Sequence, residues 1–281
     1  MSESRYPLWR SIEWPGQAKV AVQIIVAFEA FDERSQFTTE PRPGINTFSL
    51  SYGEYGAHVG AWRLLKVLTE YGAVSSVAIN GLAAERHPEV IRAFADGGHE
   101  LVGHGWVNDQ FMAGGEAEQG VIKRTLDAIE AAGGTRPVGW VSPGKLGSVD
   151  TEEYLLDAGV IYTGDDASDD LPFVKKVGNR EFAVVPTVDL GSNDLIHLVF
   201  GQNSPDVLVD SFIATFDAVY GEAEEGRPGA VGLVLHCHAS GRPTMLGGIR
   251  RMLEHCANHD GVWFARGDEL ARFALTKGMY R

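Results

Sequence analysis

Residues 19–28 read Lys-Val-Ala-Val-Gln-Ile-Ile-Val-Ala-Phe. A strand with so little polarity and so many β-branched side chains must be covered on both faces, which is the environment of a parallel sheet. Parallel neighbours need long crossover connections, usually helices. Further apolar runs at 74–79, 101–102, 137–141, 160–162, 182–185, 195–200, 231–236 and 262–265 alternate with helical patterns at 58–71, 88–95, 116–132, 151–158, 206–220, 248–257 and 267–275. Asp150, with Glu153 as its reciprocal partner, is the expected cap of the helix at 151–158. The expected class is α/β, with roughly seven or eight parallel strands joined by crossover helices. Residues 1–18 read as an N-terminal arm with Trp9, Trp14 and Pro15 as anchors, and 19–281 as a single domain. The segment 32–58, with Pro41, Pro43, Gly44, Gly53 and Gly56, reads as a long loop of the kind that covers a site.

Composition narrows the partners. The net charge of −14 repels phosphate backbones and anionic lipid, so nucleic acid and membrane surfaces are disfavoured. No apolar run approaches the ~20 residues that a membrane helix needs. The first ten residues lack the apolar core of a signal peptide. Two cysteines, Cys237 and Cys256, suit a reducing compartment. A cytoplasmic chain acting on a small molecule is the expectation.

Several of the strand runs end on chemistry. Glu29 follows the first. His104 follows another, between Gly103 and Gly105, where small neighbours leave room for a ligand. Ser142-Pro143-Gly144 follows a third, and His236 ends a fourth. Taken singly, these are a solvated strand-end acid and turn histidines. In a barrel of parallel strands, however, all C-terminal ends share one mouth. One carboxylate, two imidazoles and a Pro-Gly loop suffice for hydrolysis, with one group to hold water and another to protonate a leaving atom. His238 lies two residues past His236, but a turn at Ser240-Gly241 argues against its facing the same way. Cys237, between them, reads as a small packed hydrophobe.

Motifs in this order resemble the polysaccharide deacetylase superfamily. They are Glu54-Tyr55-Gly56 with Gly60-Ala61-Trp62-Arg63, Gly98-His99-Glu100 with His104-Gly105-Trp106, Gly139-Trp140-Val141-Ser142-Pro143, the Asp166–Pro172 loop, and His236 with Gly241-Arg242-Pro243. The likeness runs from about Lys19 to Leu275. It is greater for the branch that holds metal-independent allantoinases and cyclic imide hydrolases. The resemblance implies closure of the strands into a distorted (β/α) barrel of about seven parallel strands, with Glu29, His104 and His236 as catalytic residues. It implies substrate contacts from Trp106, Pro143, Gly144, Asp166, Asp170 and Arg242. The family's catalytic-base aspartate falls on Ala27, its metal carboxylate on Glu29, and its paired metal histidines on His104 and Asn108. Zinc asks for three firm ligands, and the neutral amide of Asn108 is a poor third.

Three functions follow as alternatives. The first is an amidohydrolase that opens a cyclic amide, imide or ureide such as allantoin without a metal. The second is a metal-dependent sugar or polysaccharide N-deacetylase, with zinc on Glu29, His104 and Asn108. The third is a binding protein on the same scaffold. Chelation is expected to leave activity unchanged. A homo-oligomer is expected from the few charges and the aromatic content of 32–58 and from the branch.

Overall fold

A computed structural model describes residues 12–31, 47–108, 114–186 and 190–281, with the side chains of Ser49 and Leu190 excepted. Its strands are β1 (Val20–Phe28), β2 (Ser76–Ile79), β3 (Glu100–Gly103), β4 (Gly139–Trp140), β5 (Tyr162–Thr163), β6 (Phe173–Val177), β7 (Arg180–Val184), β8 (Gly229–His236) and β9 (Val262–Phe264). Its helices are α1 (Thr47–Tyr55), α2 (Ala61–Glu70), α3 (Gly81–Arg86), α4 (Pro88–Asp96), α5 (Gly115–Gly133), α6 (Thr151–Asp157), α7 (Pro205–Glu224), α8 (Cys237–Ser240), α9 (Pro243–Ala257) and α10 (Gly267–Lys277). The sheet order is β6-β7-β5-β4-β3-β2-β1-β8, with β9 also on β1. Every pairing is parallel except β6 with β7. The sheet curls into a half-barrel, as the deacetylase-like expectation required, with β8 and β6 as its open ends.

β1 is buried along its whole length. Its outward side chains, Val20, Val22, Ile24, Val26 and Phe28, join Val77, Ile79, Leu233 and Leu235 beneath the helices. Each large side chain so buried is worth ~1.5–3 kcal/mol. β8 runs along one edge of β1, while β9 and β2 share the other, β9 at its start and β2 at its end. The described part of the arm packs inward, with Ile12 and Trp14 in a second cluster and the Trp14 indole donating to the Gly229 carbonyl at 2.9 Å. Trp9 lies outside the described residues.

Register decides what the mouth presents. Phe28 pairs with Ile79, Ile79 with Gly103, Gly103 with Trp140, and Trp140 with Thr163. The residues one step beyond form a single row: Glu29, Asn80, His104, Val141 and Gly164. His236 lies opposite Ala27, two positions before Glu29.

Four local expectations are corrected. Residues 195–200 form a π-helical turn, not a strand. Asn193 Oδ1 accepts from the Leu195 and Ile196 amides at 3.0 and 3.4 Å and starts the turn; a short apolar run carries no period to reveal this. Within 32–58, residues 47–55 are helical and 56–60 form a π-turn leading into α2, while 32–46 lie outside the described residues. β6, paired with β7 across the Gly178-Asn179 turn, went unexpected. Asp150 precedes α6 without any side-chain cap bond.

Candidate active site

Glu29 is buried at the mouth. Its Oε1 is 3.5 Å from His104 Nε2 and 3.6 Å from His236 Nε2, and its Oε2 is 3.8 Å from His238 Nδ1. The structure thus brings together the three residues expected to be catalytic. It adds His238, because the chain past His236 enters α8 and carries that ring inward. Burial by itself would raise the Glu29 pKa. Chiefly the charge of His236 outweighs it, with smaller contributions from His104 and His238, and holds Glu29 at about 2. It is a carboxylate at neutral pH and a weak base.

Each imidazole is oriented by its far nitrogen. His104 Nδ1 donates to the Val141 carbonyl at 2.6 Å, which leaves Nε2 to face Glu29. His236 Nδ1 is 2.6 Å from Asp194 Oδ1, while Asp194 Oδ2 accepts from the His236 amide and from Ser240 Oγ, both at 2.6 Å. Burial opposes charge on His236, but fully buried Asp194 and then Glu29 pull its pKa up to about 9. His236 is therefore an imidazolium at pH 7. Burial pushes His238 down to about 4, so it is neutral there.

Asn80 ties the row together. Its Oδ1 accepts from the Ala30 amide at 3.0 Å, and its Nδ2 donates to the His104 carbonyl. Gly105 brings the next loop close. Its φ is +66°, and a Cβ there would lie 2.6 Å from Pro143 Cγ. Asp165 holds that loop from the other side, accepting from the Ser142 amide at 2.7 Å.

The other expected contacts are less convergent. Pro143 is buried against Gly105, and Gly144 is exposed. Trp106 lies under the Arg124 guanidinium, 3.3 Å from ring centroid to carbon, and its carbonyl holds the start of α3. Arg242 is sandwiched between the Tyr52 and Tyr55 rings and donates to the His238 carbonyl at 2.9 Å. Asp166 closes its own loop on the Ser168 amide. Asp170 lines a groove of about 630 Å³ with Pro186, Ser211 and Ala230. Sequence reasoning missed Asp194, Asn80 and Ser240. The apolar run at 195–200 masked Asp194, whose partner stands 42 residues away in the chain.

A divalent metal is typical of the superfamily resembled. Glu29 and His104 suit its carboxylate and first imidazole, and the Val141 bond fixes the tautomer a ligand needs. The third ligand is not assembled. Asn108 replaces the second histidine, and Glu29, His104 and His236 are not a group whose ligand atoms all lie within 4.8 Å of one another. The donors present at the mouth do not complete a three-ligand site. Among the described residues the one such group lies elsewhere, at Asp217, His255 and His259. The expectation of a chain without a metal gains no support from that cluster or from the family.

Residues 46–163 match the polysaccharide deacetylase family. A putative polysaccharide deacetylase of Schizosaccharomyces pombe is 28% identical, covering 95% of this chain and 94% of its own. A peptidoglycan deacetylase of Helicobacter pylori is 25% identical over 79% of this chain and 86% of its own. The crystal structure of Puue allantoinase superposes with a TM-score of 0.87 at 28% identity, covering 96% and 94% of the two chains. With the half-barrel and its mouth, these likenesses identify residues 46–163 as a polysaccharide deacetylase domain and the chain as a hydrolase.

Proposed function

We propose that the chain adds water across a ring C–N bond of a cyclic amide, imide or ureide such as allantoin. The observation that carries this reading is the position of Glu29 Oε1 between the Nε2 atoms of His104 and His236. A water donating to Glu29 and to His104 turns a lone pair towards a carbonyl carbon above them. Glu29, held near 2, is too weak a base to take the proton and orients the water. His104 Nε2 takes it. His236, charged against Asp194, first stabilises the oxyanion and then protonates the leaving nitrogen. Products are a carboxylate and a freed amide or urea nitrogen. A strained or activated ring needs less electrophilic help than an acetamide, which suits a mouth with two firm metal ligands. The likeness to an allantoinase over nearly the whole chain points the same way.

A second reading, N-deacetylation of a sugar, is favoured by the family match and by the Helicobacter pylori relative. The same residues would act on an acetamide, with a metal supplying the missing polarisation. Assays over ureides, cyclic imides and N-acetylated oligosaccharides, with and without chelator, separate the two. Ring opening that survives chelation and vanishes in His104→Ala is the expected result. Acetate release that needs zinc, with the rings untouched, overturns it.

A cytoplasmic location and a homo-oligomeric state belong to the same reading. Both cysteines are free, as in a reducing compartment. No helix among the described residues is long and apolar enough to cross a membrane.

A further inference from the structure

α7 and α9 pack side by side on the outside of the sheet. At the C-terminal end of α9, three side chains turn towards one another. Asp217 of α7, His255 of α9 and His259 just beyond it each offer one ligand atom, and these atoms all lie within 4.8 Å of one another. His255 lies in the last turn of α9 and His259 just past its end, with their ring centroids 4.8 Å apart. His255 Nε2 is 2.6 Å from Asp217 Oδ1. His259 Nδ1 donates to the His255 carbonyl at 2.8 Å, so its Nε2 keeps the lone pair for a ligand. Phe216 meets both imidazoles edge-on, with centroids at 5.4 and 5.0 Å, and Tyr220 meets His259 at 4.7 Å. Ring packing and a second-nitrogen hydrogen bond thus orient the donors before any ion arrives. The carbonyl end of α9 and a net charge of −14 favour a cation. Lys19, which bonds Tyr220, is paired with Glu224.

We propose that Asp217, His255 and His259 form a surface site for a divalent first-row transition cation, with zinc as the working example and water in the remaining position. Two imidazoles and one carboxylate suit zinc, nickel or copper; calcium and magnesium prefer all-oxygen donors. Ligand atoms around tetrahedral zinc are ~3.3 Å apart. The ion takes the place of the proton between His255 and Asp217, spreads that pair by ~0.7 Å and draws His259 in. The side chains of His255 and Asp217 are 27% and 52% exposed and free to make this adjustment.

The site lies at the other end of the half-barrel from the mouth. Tyr220 reaches Lys19, just before β1, whereas Glu29 follows the last residue of β1. Nine strand residues separate the two ends by ~30 Å. A zinc ion carried by the purified chain is therefore not, by its presence, a catalytic metal.

The test is zinc titration by calorimetry and elemental analysis of metal-stripped protein. Wild type, His104→Ala, His255→Ala and His259→Ala are compared, each alongside its melting temperature. His104→Ala should retain one zinc per chain at wild-type affinity. His259→Ala and His255→Ala should bind that zinc at least ~tenfold more weakly and lose the zinc-dependent rise in melting temperature. Asp217→Asn, which keeps the shape, repeats the comparison if either histidine variant folds poorly. Zinc affinity unchanged in His259→Ala, or no binding to wild type at millimolar zinc, overturns the proposal.

Discussion

The two imidazoles that flank Glu29 differ in the partner that each holds on its far nitrogen. His104 bonds a neutral carbonyl, while His236 bonds a fully buried carboxylate. The difference divides their work into base and acid, and it rests on Asp194. Asp194→Asn keeps the volume and removes the charge that holds His236 near 9. As an acid, His236 must be protonated to act, so activity is lost as pH rises through its pKa. The alkaline limb of kcat/KM should move from about 9 in the wild type towards the ordinary histidine value near 6.5 in the variant. At pH 8, kcat/KM should fall ~30-fold, as the charged fraction of His236 drops from roughly nine-tenths to ~3%. A pH–rate profile on the substrate found in the assays above is the measurement, and an unmoved limb would remove Asp194 from the mechanism.

At the scale of elements, the mouth is built by close backbone approach. A Cβ at Gly60 would lie 1.9 Å from the Cys237 carbonyl oxygen, so the π-turn before α2 presses directly on α8, which carries His238. Gly60→Ala must push the two apart. Overpacking of this kind costs ~1–3 kcal/mol, read as a lowered urea midpoint, and should lower kcat as His238 shifts. Asn80→Ala acts by loss, leaving the Ala30 amide and the His104 carbonyl without their partner, at ~1–3 kcal/mol for each group that stays buried. These contacts mark the limit of what the sequence conveys. β1, Glu29, His104 and His236 were legible because long apolar runs stop on a polar residue. α8 was not, because four residues after a strand resemble a turn. Asp194 and Asn80 were not, because their partners are distant in the chain and nothing local marks a buried polar residue as a tether. The antiparallel β6 is half-exposed and holds two lysines, which hid its strand pattern.

At the scale of the whole molecule, the two ends of the half-barrel differ. The mouth side carries exposed Phe48, Leu146, Val149 and Phe200, at 71%, 51%, 99% and 69% exposure, all in segments that follow strand C-termini. These side chains are the surface that a second copy would cover in the oligomer proposed above. Sedimentation should show a species heavier than 30.4 kDa, reduced by Phe200→Glu; a monomer at micromolar concentration rejects it. The opposite end buries Glu100, which accepts from Ser76 Oγ, Tyr162 Oη and the Asp268 amide at 2.6, 2.9 and 3.1 Å. Burial, then the Asp268 charge, raises its pKa to about 7 despite these donors. The unfolded chain releases this proton near 4.5. Between the two values the folded state holds a proton that the unfolded state has lost, so stability falls as pH rises, by ~3 kcal/mol in all. Buried His99, pushed down to about 4, works in the opposite sense as pH rises to 6.5, and the raw stability curve mixes the two. Glu100→Gln isolates the carboxyl. The stability of wild type minus that of the variant, from urea unfolding, should be level below pH 4, drop between about 4.5 and 7, and level again above. Parallel curves across that window would show that Glu100 titrates at its ordinary value and that the three donors, not burial, govern its charge.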